Sequence, residues 1–387
     1  MIYLDNSATT FPKPIEVIEE MSTFMKETMA NPGRSGHKMA TQTNKRILET
    51  RMKLARVIGA DNPLQIAFTK NASEALNMGI LGYLEKGDHV ITTSMEHNSV
   101  ARPLYKLQAD GTIELSLAKG DHDGVIDPEE ILSEIRPETS LIVMTHASNL
   151  LGSINDIGFI GAKIAEINQN REEKIAFMVD CAQTVGSLPI NVNQMHIDIL
   201  AGAGHKSLFG PTGTGFIYLE ENIDISPIYL GGTGSLSESL NQPEFMPDML
   251  ETGTLNAVGI VGLGKGIDYV QEKGIEAIRD YQIELTFDCI TKLEQIEDVK
   301  IYGPKDAQKR AGVVAFNIGK MDSQEVTSLL SDDYDIATRG GMHCTPLAHS
   351  RMGTAAQGMV RASFSSFTTT EDIDHLVRAV AEIASKR

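Results

Sequence analysis

The chain has 387 residues, of which 41% are apolar and 22% charged, and its formal net charge at pH 7 is −18. This length exceeds the usual limit for one hydrophobic core, so we expect a large domain with a smaller companion. So acidic a chain, without a Lys/Arg run, disfavours nucleic acid as a partner. No apolar run approaches the ~18 residues of a membrane helix, and the first residues lack the features of a secretory signal. We therefore expect no membrane partner and a cytoplasmic location.

The first two thirds of the chain show the rhythm of a βαβ architecture. Between about residues 45 and 220, short runs rich in Ile, Val and Phe alternate with helical patterns, which predicts a mainly parallel sheet. The seven strand candidates are QIAFT, HVITT, TIELSLA, LIVMTH, KIAFMV, IDILAG and GTGFIYL. Polar motifs follow several of them: NAS, HAS, DCAQ and GHK. Because functional residues of such sheets gather where strands end, we expect these motifs to meet at one edge.

The pattern changes after about residue 260, where helical stretches surround the strands VVAFNIG and MVRASFS and the Gly-rich segment RGGMHC. We therefore predict an α/β protein with a mainly parallel seven-stranded sheet and a smaller α+β C-terminal domain. The expected units are an N-terminal segment packing with the small domain (1–15), a large cofactor-binding domain (16–255) and a small domain carrying a cysteine loop (256–387).

The segment AGAGHKSLFGPTGTG resembles two phosphate motifs but fits neither. A Walker A loop needs Gly directly before Lys, whereas His205 separates Gly204 from Lys206. Gly213 and Gly215 precede an expected strand, whereas a Rossmann glycine motif opens a helix. A lysine past a strand end, flanked by glycines, instead suits a Schiff base with an aldehyde cofactor.

Other residues support pyridoxal 5′-phosphate (PLP) as that cofactor, although a single Lys is usually a surface charge. Asp180 ends the strand KIAFMV and can pair with a pyridinium nitrogen, and Gln183 can donate to the ring oxygen. His97 follows another strand end, where an imidazole can stack on the ring and move protons. The hydroxyls between residues 69 and 73 open a helical pattern, where they can bind phosphate or simply cap the helix.

Three cysteines form an odd set without metal-type spacing, so we expect neither disulfides nor a metal site. Cys181 and Cys289 lie in apolar or helical patterns and are expected to be inert. Cys344 lies in RGGMHCTPLAH, where glycines give flexibility and Arg339 favours a thiolate. Cys344 is therefore the predicted reactive thiol.

Together these motifs resemble the group II cysteine desulfurases, which are fold-type I PLP enzymes of aminotransferase class V. The resemblance runs almost end to end, through YLDNSATT, NPGRSGH, MEHNS, SNLLG, DCAQTVG, GHKSLFGPTGTG, ETGTLN, RGGMHC and VRAS. It implies the conversion of L-cysteine into L-alanine, with transfer of sulfur to an enzyme persulfide and then to a thiol or protein acceptor.

The resemblance also implies a role for individual residues. The catalytic positions are Lys206, Cys344 and His97, and the cofactor positions are Lys206, Asp180, Gln183, His97, Ala72, Ser73, His205, Asn149 and Thr254. Thr254 matches a position that reaches the phosphate across a dimer interface, so a homodimer is expected. Arg361 matches the arginine that grips the substrate carboxylate, with Arg339 and Asn149 nearby. Ala203 and Ala72 replace hydroxyl residues common in the family, which predicts weaker cofactor binding.

Two kinds of alternative remain open. Another PLP reaction on the same scaffold, such as selenocysteine lysis, cysteine sulfinate desulfination or transamination, would make Cys344 less central. A non-catalytic binding protein that has lost its cofactor is a rival from a different class, and intact Lys206, Asp180 and His97 argue against it.

Overall fold

The computed structural model describes residues 1–32 and 36–386, so part of the NPGRSGH motif lies outside the described residues. The strands are β1 (Ile2–Tyr3), β2 (Ile66–Thr69), β3 (His89–Thr93), β4 (Glu114–Ala118), β5 (Thr139–Thr145), β6 (Ala176–Asp180), β7 (Ile199–Ala203), β8 (Gly215–Leu219), β9 (Val299–Tyr302), β10 (Val313–Ile318), β11 (Ile336–Ala337) and β12 (Val360–Ser363).

The helices alternate with these strands through the first half of the chain and surround the second sheet. They are α1 (Ile15–Glu27), α2 (Lys38–Ile58), α3 (Ala72–Tyr83), α4 (Asn98–Ala109), α5 (Pro128–Ser133), α6 (Ile157–Asn168), α7 (Ala257–Lys273), α8 (Ile275–Leu293), α9 (Ser323–Tyr334), α10 (Pro346–Met352) and α11 (Thr370–Ser385).

The large sheet has seven strands in the order β2-β8-β7-β6-β5-β3-β4, and only β8 runs antiparallel to its neighbours. The prediction of a mainly parallel seven-stranded sheet is confirmed. Strands β6, β7 and β8 are buried along their whole length. Such burial explains why these segments read as continuous apolar runs, as strands do when both faces of a sheet are covered.

The direction of the strands brings the polar motifs to one edge. Strands β2, β3, β5, β6 and β7 all run the same way, so their carboxyl ends lie together at one side of the sheet. The turns that leave this edge lead into α3, into α4 and into the segment of Lys206. The sheet therefore positions the candidate site.

A second, antiparallel sheet in the order β12-β10-β9 forms the smaller unit with α8, α9 and α11. Its apolar core includes Leu4, because β1 pairs with β11 and brings the N-terminal segment alongside. Helix α7 instead packs against α1 and α2 of the large unit. The helix begins at Ala257, after its cap Asn256, and the expected domain division at residues 15 and 255 stays a prediction.

Candidate active site

One cleft lies at the carboxyl edge of the seven-stranded sheet, with an empty volume of about 460 Å³. The predicted site residues that line it are Ala72, Ser73, His97, Asn149, Asp180, Gln183, His205 and Lys206. These residues come from five strand ends that are far apart in sequence. The structure thus brings most of the predicted cofactor residues together.

Lys206 lies three residues beyond β7, in the turn that leads to β8. Burial lowers the pKa of Lys206 to about 8, and the neighbouring carboxylate of Asp180 opposes this shift. A lysine with such a pKa has a substantial neutral fraction near neutral pH, and the neutral amine is the nucleophilic form. Lys206 can therefore attack an aldehyde or accept a proton.

Asp180 is the last residue of β6, and its side chain is buried. Its Oδ1 accepts a hydrogen bond of 2.9 Å from the Ala182 N–H. Burial raises the pKa of Asp180, whereas this hydrogen bond and the nearby Lys206 lower it. A buried carboxylate is most stable beside a cation, so the site suits a protonated ring nitrogen. Beside it, the Gln183 amide donates to the Ser7 carbonyl at 3.2 Å.

The other end of the cleft is formed by the first turns of α3 and α4. Asn71 caps α3 by accepting from the Glu74 N–H, so the hydroxyl of Ser73 is not needed for capping. Asn71 rather than a hydroxyl therefore caps α3, and the role of the Ser73 hydroxyl as a phosphate ligand stays a prediction. His205 also faces this end, and its Nδ1 is buried without a hydrogen-bond partner among the described residues. An acceptor or donor on a ligand would satisfy that nitrogen.

His97 is the cap of α4, and its Nδ1 accepts a hydrogen bond of 3.1 Å from the Ser99 N–H. Burial, together with the positive charges of Lys206 and Arg339, lowers the pKa of His97 to about 4. The imidazole is therefore neutral at neutral pH, with its proton on Nε2 because Nδ1 is an acceptor.

Cys344 lies between β11 and α10, outside the cleft lining. His343 and Cys344 both have positive φ, at 48° and 59°, which is an uncommon backbone conformation for residues other than glycine. The Cys344 carbonyl accepts from the Asn98 N–H at 2.7 Å, and Arg339 Nη2 lies 4.0 Å from the Cys344 Sγ. The thiol is partly exposed, whereas Cys181 and Cys289 are buried and burial raises the pKa of both.

Arg361 and Asn149 join the cysteine loop to the cleft. Arg361 is 1% exposed, and it donates to the Asn149 carbonyl at 2.9 Å and to Asp5 Oδ1 at 2.6 Å. The Asn149 amide donates to the His343 carbonyl at 2.9 Å. The guanidinium Nε is buried without a hydrogen-bond partner among the described residues, and each terminal nitrogen keeps a second N–H beyond these bonds.

Thr254 is a predicted cofactor residue that lies outside this cleft. It lines a separate surface cleft together with Tyr229 and Leu230, which are 49% and 74% exposed. Within one chain, Thr254 is therefore not part of the cofactor cleft, and its predicted action across a dimer interface stays a prediction.

Sequence reasoning missed three residues of the site, namely Asp5, Glu96 and Ser99. Glu96 is fully buried, and its Oε1 accepts from the Thr93 hydroxyl at 2.6 Å and from the Thr145 N–H at 3.0 Å. Burial raises the pKa of Glu96 to about 8. The sequence did contain a sign of Glu96, because an acidic residue directly precedes His97 after the strand HVITT.

Over the described parts of the chain, no cluster of His, Cys, Asp and Glu could hold a metal ion. In the same residues, no helix combines the length and apolar character needed to cross a membrane.

Comparisons with known proteins give a consistent result. Residues 2–376 match the family model Aminotransferase class-V. The chain is 34% identical to a probable cysteine desulfurase of Methanothermobacter thermautotrophicus, over 99% of this chain and 94% of that protein. It is 32% identical to a cysteine desulfurase of Escherichia coli, over 99% of this chain and 93% of that protein.

Solved structures agree with these sequence relatives. An apo structure of a cysteine desulfurase from Thermococcus onnurineus superposes with a TM-score of 0.91 at 33% identity, covering 100% of this chain and 95% of that one. A cysteine desulfurase from Escherichia coli gives a TM-score of 0.86 at 26% identity, covering 99% of this chain and 94% of that one.

Proposed function

The chain belongs to the class V aminotransferase family, and from that premise we propose that it is a PLP-dependent cysteine desulfurase. It converts L-cysteine into L-alanine and holds the sulfur as a persulfide on Cys344. The observation that most strongly supports this proposal is that the cofactor cleft and the cysteine loop are connected. The cleft of Lys206 and Asp180 is joined to the Cys344 loop by the hydrogen bonds of Asn149.

The residues of the cleft fit the proposed cofactor. Lys206 would hold PLP, Asp180 would pair with its ring nitrogen, and the unpartnered Nδ1 of His205 would meet its phosphate end. When bound, PLP supplies an electron sink that makes the Cα proton of the substrate acidic. Gln183 would exchange its bond to the Ser7 carbonyl for one to the ring oxygen.

Lys206 would move the protons, and His97 would assist as a hydrogen-bond donor. Because its pKa is lowered to about 8, Lys206 can take the Cα proton with its Nζ and return it later. His97 is neutral and its Nδ1 already accepts a hydrogen bond, so it would act through its Nε2–H as a donor. Lys206 therefore acts as the base, and His97 as a hydrogen-bond donor beside it.

Arg361 would hold the substrate carboxylate through the guanidinium N–H groups that its bonds to Asn149 and Asp5 leave free. Asp5 keeps the guanidinium oriented, since it accepts from Nη2 at 2.6 Å. A charge-assisted contact of this kind fixes the orientation of the amino acid in the cleft. Arg339 lies on the side of the cysteine loop, with its Nη2 4.0 Å from the Cys344 Sγ.

Cys344 would complete the reaction by attacking the sulfur of the substrate. A new S–S bond forms, the bond between Cβ and sulfur breaks, and its electron pair stays on carbon. The carbon is then protonated to give alanine, and the enzyme keeps the sulfur as a persulfide. A thiol or a protein acceptor subsequently removes it.

The test is to incubate the purified protein with no more than one L-cysteine per active site and no other thiol, because excess cysteine is itself a thiol that would remove the persulfide. We expect one alanine and one protein-bound persulfide per active site, with the persulfide on the peptide that contains Cys344 by mass spectrometry. Alanine formation without a persulfide, or greater turnover of selenocysteine or cysteine sulfinate alone, would favour the related class V reactions instead.

We also propose that the enzyme is a homodimer in which Thr254 faces the partner's phosphate site. The exposed Tyr229 and Leu230 beside Thr254 support this proposal, because dimer interfaces bury aromatic and apolar surface. Sedimentation of the holoenzyme tests it, and a stable monomer with full activity would contradict it. The expected cytoplasmic location stays a prediction.

A further inference from the structure

Ser99 connects His97 to the phosphate end of the cleft. Its Oγ lies 2.9 Å from His97 Nδ1 and 2.5 Å from the hydroxyl of Ser73. The three side chains therefore form a continuous hydrogen-bonded chain, and all of them line the same cleft as Lys206. Neither the sequence analysis nor the proposed reaction gives Ser99 a role.

The direction of the hydrogen bonds in this chain follows from the backbone. The Ser99 N–H can only donate, so His97 Nδ1 is an acceptor. The Ser99 hydroxyl lies 2.9 Å from the same nitrogen and can donate to it by sharing its lone pair with the backbone N–H, and either serine can be the donor between Ser99 and Ser73. Both serine hydroxyls can also turn toward an anion.

The setting of Ser99 favours an anion. Ser99 lies in the first turn of α4 and Ser73 in the first turn of α3, and their hydroxyls lie 2.5 Å apart, so the starts of two helices meet at this end of the cleft. The first N–H groups of α4 have partners in the chain, so on this helix the Ser99 hydroxyl is the group that can turn to an anion. Ala72 and Ala203 also line the cleft and bring no hydroxyl. Ser99 and Ser73 are therefore the serine hydroxyls that line the cleft among the described residues.

We propose that Ser99 is a ligand of the cofactor phosphate and also a positioning residue for His97. Its single hydroxyl proton bonds to His97 Nδ1 in the free enzyme and to a phosphate oxygen in the loaded enzyme. Phosphate binding thus leaves Nδ1 with only the backbone N–H of residue 99, which links occupancy of the phosphate site to the state of the acid/base imidazole. The inference rests on the proposed function, because it assumes PLP.

Cofactor binding to the apoprotein tests the ligand role without any need for activity. We expect Ser99→Ala to weaken PLP binding about tenfold to a hundredfold, the usual effect of losing one hydrogen bond to a charged group. Ser99→Thr, which keeps a hydroxyl, should bind nearly as the wild type does. Ser133→Ala, on the exposed end of α5, is the matched serine control and should change nothing.

Pyridoxal, which lacks the phosphate, separates a ligand from a merely structural residue. Ser99→Ala should bind pyridoxal as tightly as the wild type does, and adding Ala203→Ser should recover part of its lost PLP affinity. Equal weakening toward pyridoxal and PLP, or unchanged PLP binding in Ser99→Ala, overturns the inference. Failure of the wild-type chain to bind PLP overturns the proposed function itself and the inference with it.

The link to His97 has its own spectroscopic test. In protein labelled with ¹⁵N-histidine, PLP should shift the Nδ1 resonance of His97 in the wild type, because one donor leaves that nitrogen. The PLP-induced shift should be clearly smaller in Ser99→Ala, measured at saturating PLP. Equal shifts in the two proteins would overturn the positioning role.

Discussion

The cofactor cleft and the loop of Cys344 are built in different ways. The cleft is set at the ends of buried strands and the starts of helices, so its side chains inherit the rigidity of the seven-stranded sheet. The loop has positive φ at two non-glycine residues, and its carbonyls are held by hydrogen bonds from Asn98 and Asn149. The cofactor cleft, built on the sheet, thus serves proton transfer. The Cys344 loop, which is held by its own hydrogen bonds, carries the thiol. The two parts should consequently fail independently.

Replacing Lys206 removes the residue proposed to hold PLP in the cleft. Of the variants considered, we expect this one to lose the most activity. We expect Lys206→Ala to lose borohydride-fixable PLP, with turnover of cysteine falling by at least ~10²-fold because the base is absent. The measurement is PLP absorbance after borohydride, together with alanine release.

Lys13→Ala provides the matched control, since Lys13 is a second lysine of this region and donates to the His205 carbonyl. It should keep covalently fixable PLP. Normal fixation of PLP by Lys206→Ala would show that another lysine holds the cofactor. Alkylation of Cys344 should proceed equally in all three proteins.

Replacing Cys344 removes the thiol of the loop and should leave cofactor binding in the cleft unchanged. Cys344→Ser should abolish the persulfide and alanine release from cysteine while PLP binding stays normal. Selenocysteine should retain a larger fraction of its turnover, since selenium is bound more weakly to carbon and the selenol is a better leaving group. Alanine release from both substrates is the measurement.

The control for this variant is Cys289→Ala, because Cys289 is buried in the core of the small unit. If Cys344→Ser loses the same proportion of alanine release from cysteine and from selenocysteine, the loop and the cleft do not act independently.

Arg361 lies between the cleft and the Cys344 loop, so replacing it tests whether substrate binding can be lost while cofactor binding is kept. Arg361→Ala should raise KM for cysteine about tenfold to a hundredfold through loss of a charge-assisted contact. PLP affinity should change little, because Arg361 is not part of the cleft lining. Arg351→Ala, which alters an arginine that donates to the Gly120 carbonyl, is the control. An unaltered KM would assign the carboxylate to Arg339.

The last prediction concerns protein stability rather than turnover, and it involves Glu96 beside the cleft. Burial raises its pKa to about 8 from 4.5, so the folded protein keeps a proton that the unfolded chain loses. Its contribution to stability is present below pH 4.5 and declines as the pH rises toward 8, by at most about 1.4 kcal/mol per pH unit.

Glu96→Gln cannot ionise and should lack this decline. Urea unfolding at about pH 5 and about pH 7.5 should therefore show Glu96→Gln gaining stability relative to the wild type at the higher pH. Parallel behaviour of the two proteins over this range would mean that Glu96 does not hold its proton in the folded state.

The sequence by itself determined the sheet and the motifs that line its edge. Strand positions follow from local apolar runs, and parallel strands bring their carboxyl ends together, so Asp180, His97 and Lys206 could be placed near one another without coordinates. The family resemblance added Cys344 and Arg361 with a chemical role for each.

Only the tertiary structure decided how those residues are held. Arg361 bonds to Asp5, 356 positions away, and Ser99 meets the hydroxyl of Ser73 on another helix. Glu96 bonds to the backbone of Thr145, and Asn71 rather than a hydroxyl caps α3. These contacts depend on which side chains meet after the sheet and helices have packed. Local periodicity carries no information about such partners, because a hydrogen bond depends on distance and direction in space.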